Sequence, residues 1–141
     1  MKNLFATVFF LLFAVGVQAQ SPSILGKWKT IDDNTGEAKS IVEIFERDGK
    51  VYGKIVKLFN KSDNELCLEC KGDKKNKPIV GLEIIEGLTA DGKVYEGGTI
   101  LDPANGKEYD CKIWVEDGKL MVRGYIAFFF RTQTWLKAEA I

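Results

Sequence analysis

Apolar and polar positions alternate with a period of two along most of the chain, and no stretch sustains a helical period. Runs rich in Val, Ile, Leu, Phe and Tyr lie at about 25–31, 39–47, 50–59, 79–88, 93–101, 107–116, 119–128 and 131–138, a pattern that predicts eight short strands. Asp48-Gly49-Lys50, Asp91-Gly92-Lys93, Asn105-Gly106-Lys107 and Asp117-Gly118-Lys119 separate such runs. Asp-Gly and Asn-Gly supply the positive φ angles that two-residue hairpins require. Eight sequential strands joined mostly by tight turns predict an all-β, up-and-down antiparallel barrel, because closure removes the edges an open meander would expose. A two-sheet sandwich is the main rival. Gly53, Gly81, Gly97, Gly98 and Gly124 fall inside strands, where they permit the bends of a small barrel.

Alternation also assigns faces. Val80, Leu82 and Ile84 point one way and Glu83 the other; Tyr109, Cys111, Ile113 and Val115 oppose Asp110, Lys112, Trp114 and Glu116. Ile41-Val42-Glu43-Ile44-Phe45 is apolar on both faces, so its inward side stays open.

The first 19 residues follow another logic. Lys2 precedes an apolar run from Leu4 to Val17, and Val17-Gln18-Ala19 ends in the small residues that signal peptidase requires. Residues 1–19 are therefore expected to be a signal peptide and 25–138 a single exported domain, periplasmic or secreted. No later segment approaches the roughly 20 apolar residues of a spanning helix. Of 20 basic and 20 acidic side chains, cleavage removes only Lys2, so the mature net charge is −1, which is no nucleic-acid footprint.

The chain contains no histidine, which removes the Ser-His-Asp and Cys-His arrangements, the commonest zinc ligand and the commonest general base near neutral pH. Asp32, Asp33, Glu43, Glu83 and Asp102 are the carboxylates available for acid–base work, and each reads more simply as a solvated strand or turn residue. Phosphate loops and dinucleotide fingerprints are absent. No catalytic residue, cofactor or metal site is expected.

Cys67 and Cys70, in "CLECKGDKKNKP", are the most motif-like feature. A metal site would need Cys111 and a carboxylate as well. A redox pair needs a thiol of lowered pKa, which Lys71, Lys74, Lys75 and Lys77 would favour only modestly. In an oxidising compartment the simplest reading is a disulfide that staples the loop between two strands. Three pairings remain open by spacing alone. Cys111 shares a face with Tyr109 and Ile113 and reads as a buried free thiol, so Cys67 with Cys70 is the expected bond.

Aromatics and arginines mark where recognition is expected. Trp28 in Gly26-x-Trp28, Trp135 and Arg131 are assigned to closing one barrel end by ring packing and cation stacking. Trp114, Arg123, Tyr125 and Phe129 are the candidate ligand-binding residues, around the mouth of a cavity that takes a small apolar ligand. Phe128-Phe129-Phe130 cannot all face inward on a strand. The segment is either a buried hairpin corner or an apolar lip for a ligand, a partner or a membrane surface.

"ILGKWKTIDD", "GKIVKLFN", "CLECKGDKKNKPIVGLEI", "GGTILDPANGKEYDCK" and "RGYIAFFFRTQTW" together resemble the exported bacterial family called domain of unknown function 2147, from about Leu25 to Lys137. The resemblance implies a small exported β-barrel, similar in architecture to lipocalins and other calycins, with no established activity. On these grounds the chain is expected to be a non-enzymatic envelope protein that binds a small apolar or amphipathic ligand. The alternative is a protein-interaction module with a filled core.

Overall fold

Positive φ angles at Asp48 and Gly49, and again at Asp117 and Gly118, turn the chain back on itself where the sequence predicts hairpins. In the computed structural model, which describes Gly16 and residues 23–139, the turns link eight strands. These are β1 (Gly26–Ile31), β2 (Ala38–Arg47), β3 (Lys50–Leu58), β4 (Glu83–Asp91), β5 (Val94–Asp102), β6 (Lys107–Glu116), β7 (Lys119–Ile126) and β8 (Phe129–Lys137). Each pairs antiparallel with the next, and β8 returns to β1, so the sheet closes as an up-and-down barrel. The expected signal peptide lies, but for Gly16, outside the described residues.

Register decides what faces inward. Trp28 lies opposite Val42, Ile44 opposite Gly53, Ile85 opposite Ile100 and Ile113 opposite Val122, and their side chains fill the barrel around Leu88, Leu120 and Trp135. The open choice in β2 resolves with Val42 and Ile44 inward and Glu43 and Phe45 outward. Both buried indoles find acceptors, as buried indole N–H groups usually do: Trp28 Nε1 donates to Ile24 O at 2.8 Å and Trp135 Nε1 to Gln133 Oε1 at 3.1 Å. Trp28 and Trp135, each 2% exposed, sit at the barrel end that carries the termini of the described chain.

The fourth strand starts later than its apolar pattern suggests. Gly81 takes φ 97° and breaks the extended run, so Ile79–Leu82 belongs to the β3–β4 connection. That stretch still bonds to β3, through Gly81 N–H to Ile55 O at 2.6 Å and Ile55 N–H to Leu82 O at 3.0 Å. The single-face assignment of Val80, Leu82 and Ile84 fails with it: Ile84 and Leu101 take the outward side of β4 and β5. They are nevertheless buried, in one cluster with Cys67, Cys70, Ile79 and Leu82. The long connection thus folds back as a second apolar layer outside the barrel. Its seat is tight, since a Cβ at Gly106 would lie 1.8 Å from Glu69 O.

Closure is uneven. β1 and β8 pair only at Trp28 with Lys137 and Lys29 with Leu136, extended by Ala138 N–H to Lys27 O at 3.0 Å. Elsewhere a bidentate pair ties β2 to β4: Arg47 donates to both oxygens of Glu83 at 2.7 and 3.1 Å and stacks over Tyr52 at 4.1 Å.

Two stability predictions follow from these contacts. A Cβ at Gly98 would fall 2.0 Å from the backbone oxygen of Glu86, so Gly98→Ala should lower stability by about 1–3 kcal/mol, read from the urea midpoint. The Arg47 guanidinium holds the Glu83 carboxyl below the usual carboxylate range. Its contribution is complete above the unfolded pKa and disappears as pH falls through the folded one. Glu83→Gln should therefore flatten the acid side of the stability–pH curve, and a variant as acid-sensitive as the native chain would refute this.

Candidate ligand-binding mouth

In an up-and-down barrel, alternate connections share one end. The β1–β2, β3–β4, β5–β6 and β7–β8 connections therefore crowd the end opposite Trp28. Toward the Trp28 end the inner wall is well packed: Val42, Leu88, Ile113 and Leu120 are fully buried. Toward the loop end the inward-phase residues Ile100, Tyr109 and Gly124, and Gln133 beside the unpaired stretch of β1 and β8, remain half-exposed. The loop end of the barrel is thus the less tightly filled one. Thr30 and Ser40, inward on β1 and β2 and buried, satisfy each other through a hydroxyl pair at 2.7 Å.

Gly124 lies opposite Cys111 and Arg131. A Cβ there would touch Tyr109 at 3.6 Å and Ile100 at 3.9 Å, ordinary van der Waals contacts that leave a side chain room to start. Across the rim runs an open groove of about 790 Å³. Its walls are Lys71, Gly72 and Lys74 of the stapled connection, Leu101 of β5, Gly106 to Asp110 of the β5–β6 turn and β6, and Tyr125 and Ile126 of β7. A second groove of about 410 Å³ continues outside the barrel past Tyr125 to Glu96 and Lys112, which form an ion pair at 3.5 Å.

The proposed recognition residues divide between two faces. Tyr125 lines both grooves, and Phe129 lies on the inward register at the rim, 78% exposed. Trp114, Arg123 and Tyr125 lie on the outer wall, because each is one residue out of phase with the inward Ile113, Val122 and Gly124. There the Arg123 guanidinium stacks over Trp114 at 4.9 Å and over Phe130 at 4.4 Å, and its Nε donates to Thr132 Oγ1 at 2.8 Å.

Arg131 does not close the tryptophan end. It shares the inward phase of Trp135 but lies four residues, roughly 13 Å along an extended strand, toward the mouth. It pairs with Asp33 at 2.7 Å, and Gln133 Nε2 donates to the same carboxylate at 3.4 Å. Asp33 therefore laces β1 to β8 where the backbones do not pair. Tyr109, Ile100, Gly124 and Gln133 were not singled out as site residues from the sequence, although a glycine inside an alternating strand was a signal that room exists there.

The remaining chemistry is occupied by structure. Backbone N–H groups of Asn34 and Thr35 hold the Asp32 carboxyl below its ordinary value, a turn-stabilising role. Cys67 and Cys70 are bonded to each other with Cα atoms 5.4 Å apart, and both are buried. Cys67 N–H donates to Lys77 O at 2.8 Å, and Asn76 N–H donates to Cys67 O at 2.9 Å. Cys67 Sγ lies 3.7 Å from Pro103 O, a packing contact, since a disulfide sulfur has no proton to donate. Cys111 is free and buried, and burial pushes its thiol up to about 12. In native, oxidised protein no cysteine should react with iodoacetamide at neutral pH, and in guanidinium exactly one should, counted by mass spectrometry. One or more adducts on the native chain would contradict this arrangement.

A family model described as an uncharacterized protein conserved in bacteria, DUF2147, matches residues 26–137. Comparison with curated proteins finds no match. Among solved structures, protein HP1028 from the human pathogen Helicobacter pylori, which belongs to the lipocalin family, is similar to this chain. The two share a TM-score of 0.73 and 20% identity, over 83% of this chain and 84% of that one.

Proposed function

The chain belongs to the DUF2147 family, and on that premise we propose that it is an exported, non-enzymatic protein that holds a small apolar or amphipathic molecule in the mouth of its barrel. The observation that carries this reading is the half-exposure of the inward-phase residues Ile100, Tyr109, Gly124 and Gln133 toward the loops, beside an open groove across the rim. The lipocalin-like architecture supports it, since small eight-stranded barrels either fill with side chains or keep space for one ligand. An apolar surface for a hydrocarbon, with the Tyr109 hydroxyl to orient a polar end, is the usual make-up of a small-molecule site.

The non-enzymatic part rests on chemistry. No histidine is available as a base. The two carboxylates held below their ordinary range are committed elsewhere, Glu83 to Arg47 and Asp32 to its own turn. Export rests on the N-terminal sequence pattern alone. The second reading, an interaction module, draws on the well-packed lower half of the barrel and on the exposed β7–β8 tip.

Gly124→Leu tests the first reading. The position has ordinary φ and only normal van der Waals neighbours, so a larger side chain should fill the mouth without unfolding the barrel. Binding of dansyl-undecanoate should weaken about tenfold or more, with the urea midpoint unchanged. Arg123→Ala, on the outer wall, should leave binding as it was. Unaltered binding in Gly124→Leu, or no binding by the native protein, would favour the second reading.

A further inference from the structure

Eight large apolar side chains are exposed among the described residues, and six of them lie on two loops at one end: Leu66 and Leu68 on the β3–β4 connection, and Ile126, Phe128, Phe129 and Phe130 at the β7–β8 tip. Phe128 is 100% exposed and Phe129 78%, so neither gains much from the fold. The turn itself is made without glycine, Ala127 taking φ 51°, although other hairpins of this chain use Asp-Gly. An apolar, strained tip in place of a polar, relaxed one disfavours the isolated protein in water. Its benefit must come from something outside the chain.

We propose that this tip docks on a phospholipid bilayer, with Phe128 and Phe129 entering the boundary between headgroups and acyl chains. The shape favours a fluid partner. Phe128 stands clear of the rest of the chain, and the groove beside it mixes the charged Lys71, Lys107, Glu108 and Asp110 with Leu101, Tyr109 and Tyr125, so it is no purely apolar receptacle for the two phenyl rings of a second copy. Nor does a hairpin tip supply the roughly 800 Å² per partner that a stable protein interface buries.

Charge supports the same occupant. Lys71, Lys75 and Lys77 make no ion pair among the described residues, and Lys71 shares the rim groove with Ile126. These ammonium groups suit anionic headgroups around an inserted aromatic wedge. Glu69, Asp73 and Glu108 lie on the same rim, so apolar insertion supplies the larger part of the attraction and the lysines add to it. Depth is limited to the tip, because Lys29, Glu43, Lys54, Lys112 and Glu116 cover the outer wall with charge, the reverse of a membrane-spanning barrel. The inference stands on the tip alone and does not depend on what the mouth holds.

Flotation of the purified protein with phosphatidylcholine vesicles, with and without phosphatidylglycerol, tests it. The native protein should float with the vesicles, and more so when phosphatidylglycerol is present. The double variant Phe128→Ser, Phe129→Ser should partition about tenfold less or weaker still, with an unchanged urea midpoint. Lys71→Glu, Lys75→Glu and Lys77→Glu together should remove the phosphatidylglycerol dependence and keep the basal binding. Native protein that stays at the bottom of the gradient, or a serine variant that floats as well as the native chain, would overturn the proposal. So would a native dimer, detected by light scattering, that the serine variant abolishes while vesicle binding is absent in both.

Discussion

Period-two alternation in a closed sheet is the constraint on which the rest of this protein depends. Once Trp28 pairs with Lys137 and Lys29 with Leu136, strand residues are committed to the inside or the outside, and register shifts such as that between Tyr95 and Gly98 reset the phase locally. The inside then divides by length. Large side chains such as Trp28, Trp135 and Ile44 fill the end where β1 and β8 are hydrogen-bonded, whereas Gly124 and Gln133 leave the other end less tightly filled. Outside, charge dominates except where the stapled connection covers Ile84 and Leu101.

Local features were legible in the sequence because local chemistry determines them. Asp-Gly turns, the number of strands and the disulfide between residues three apart need no knowledge of distant partners. The phase of Tyr109, Cys111 and Ile113 was also readable, since their strand alternates cleanly. The start of β4 was not, because an apolar run from Ile79 to Ile85 looks extended whether or not Gly81 breaks it.

The site was harder to read for a related reason. Trp114, Arg123 and Tyr125 look like one recognition cluster by residue type, and they do share a face, but it is the outer one. Sequence offers no direct sign of which face a strand with aromatics on both sides turns inward. The partnership of Asp33 with Arg131 joins the first connection to the last strand, so only closure of the barrel brings it about. The mouth residues Ile100 and Gln133 carry no special chemistry; their half-exposure on the inward phase gives them significance.

The backbones of β1 and β8 are joined at the tryptophan end and held by side chains at the other. Mechanically this is a split ring with its slit at the rim. A ladder of backbone hydrogen bonds resists widening at every other joint, whereas here the resistance comes from one solvent-accessible carboxylate and its two donors, an attachment of low strength. Radial strain on the mouth therefore concentrates at Asp33. The diameter of the opening is set less by the length of its loops than by how far that slit spreads, while the well-packed base keeps its shape.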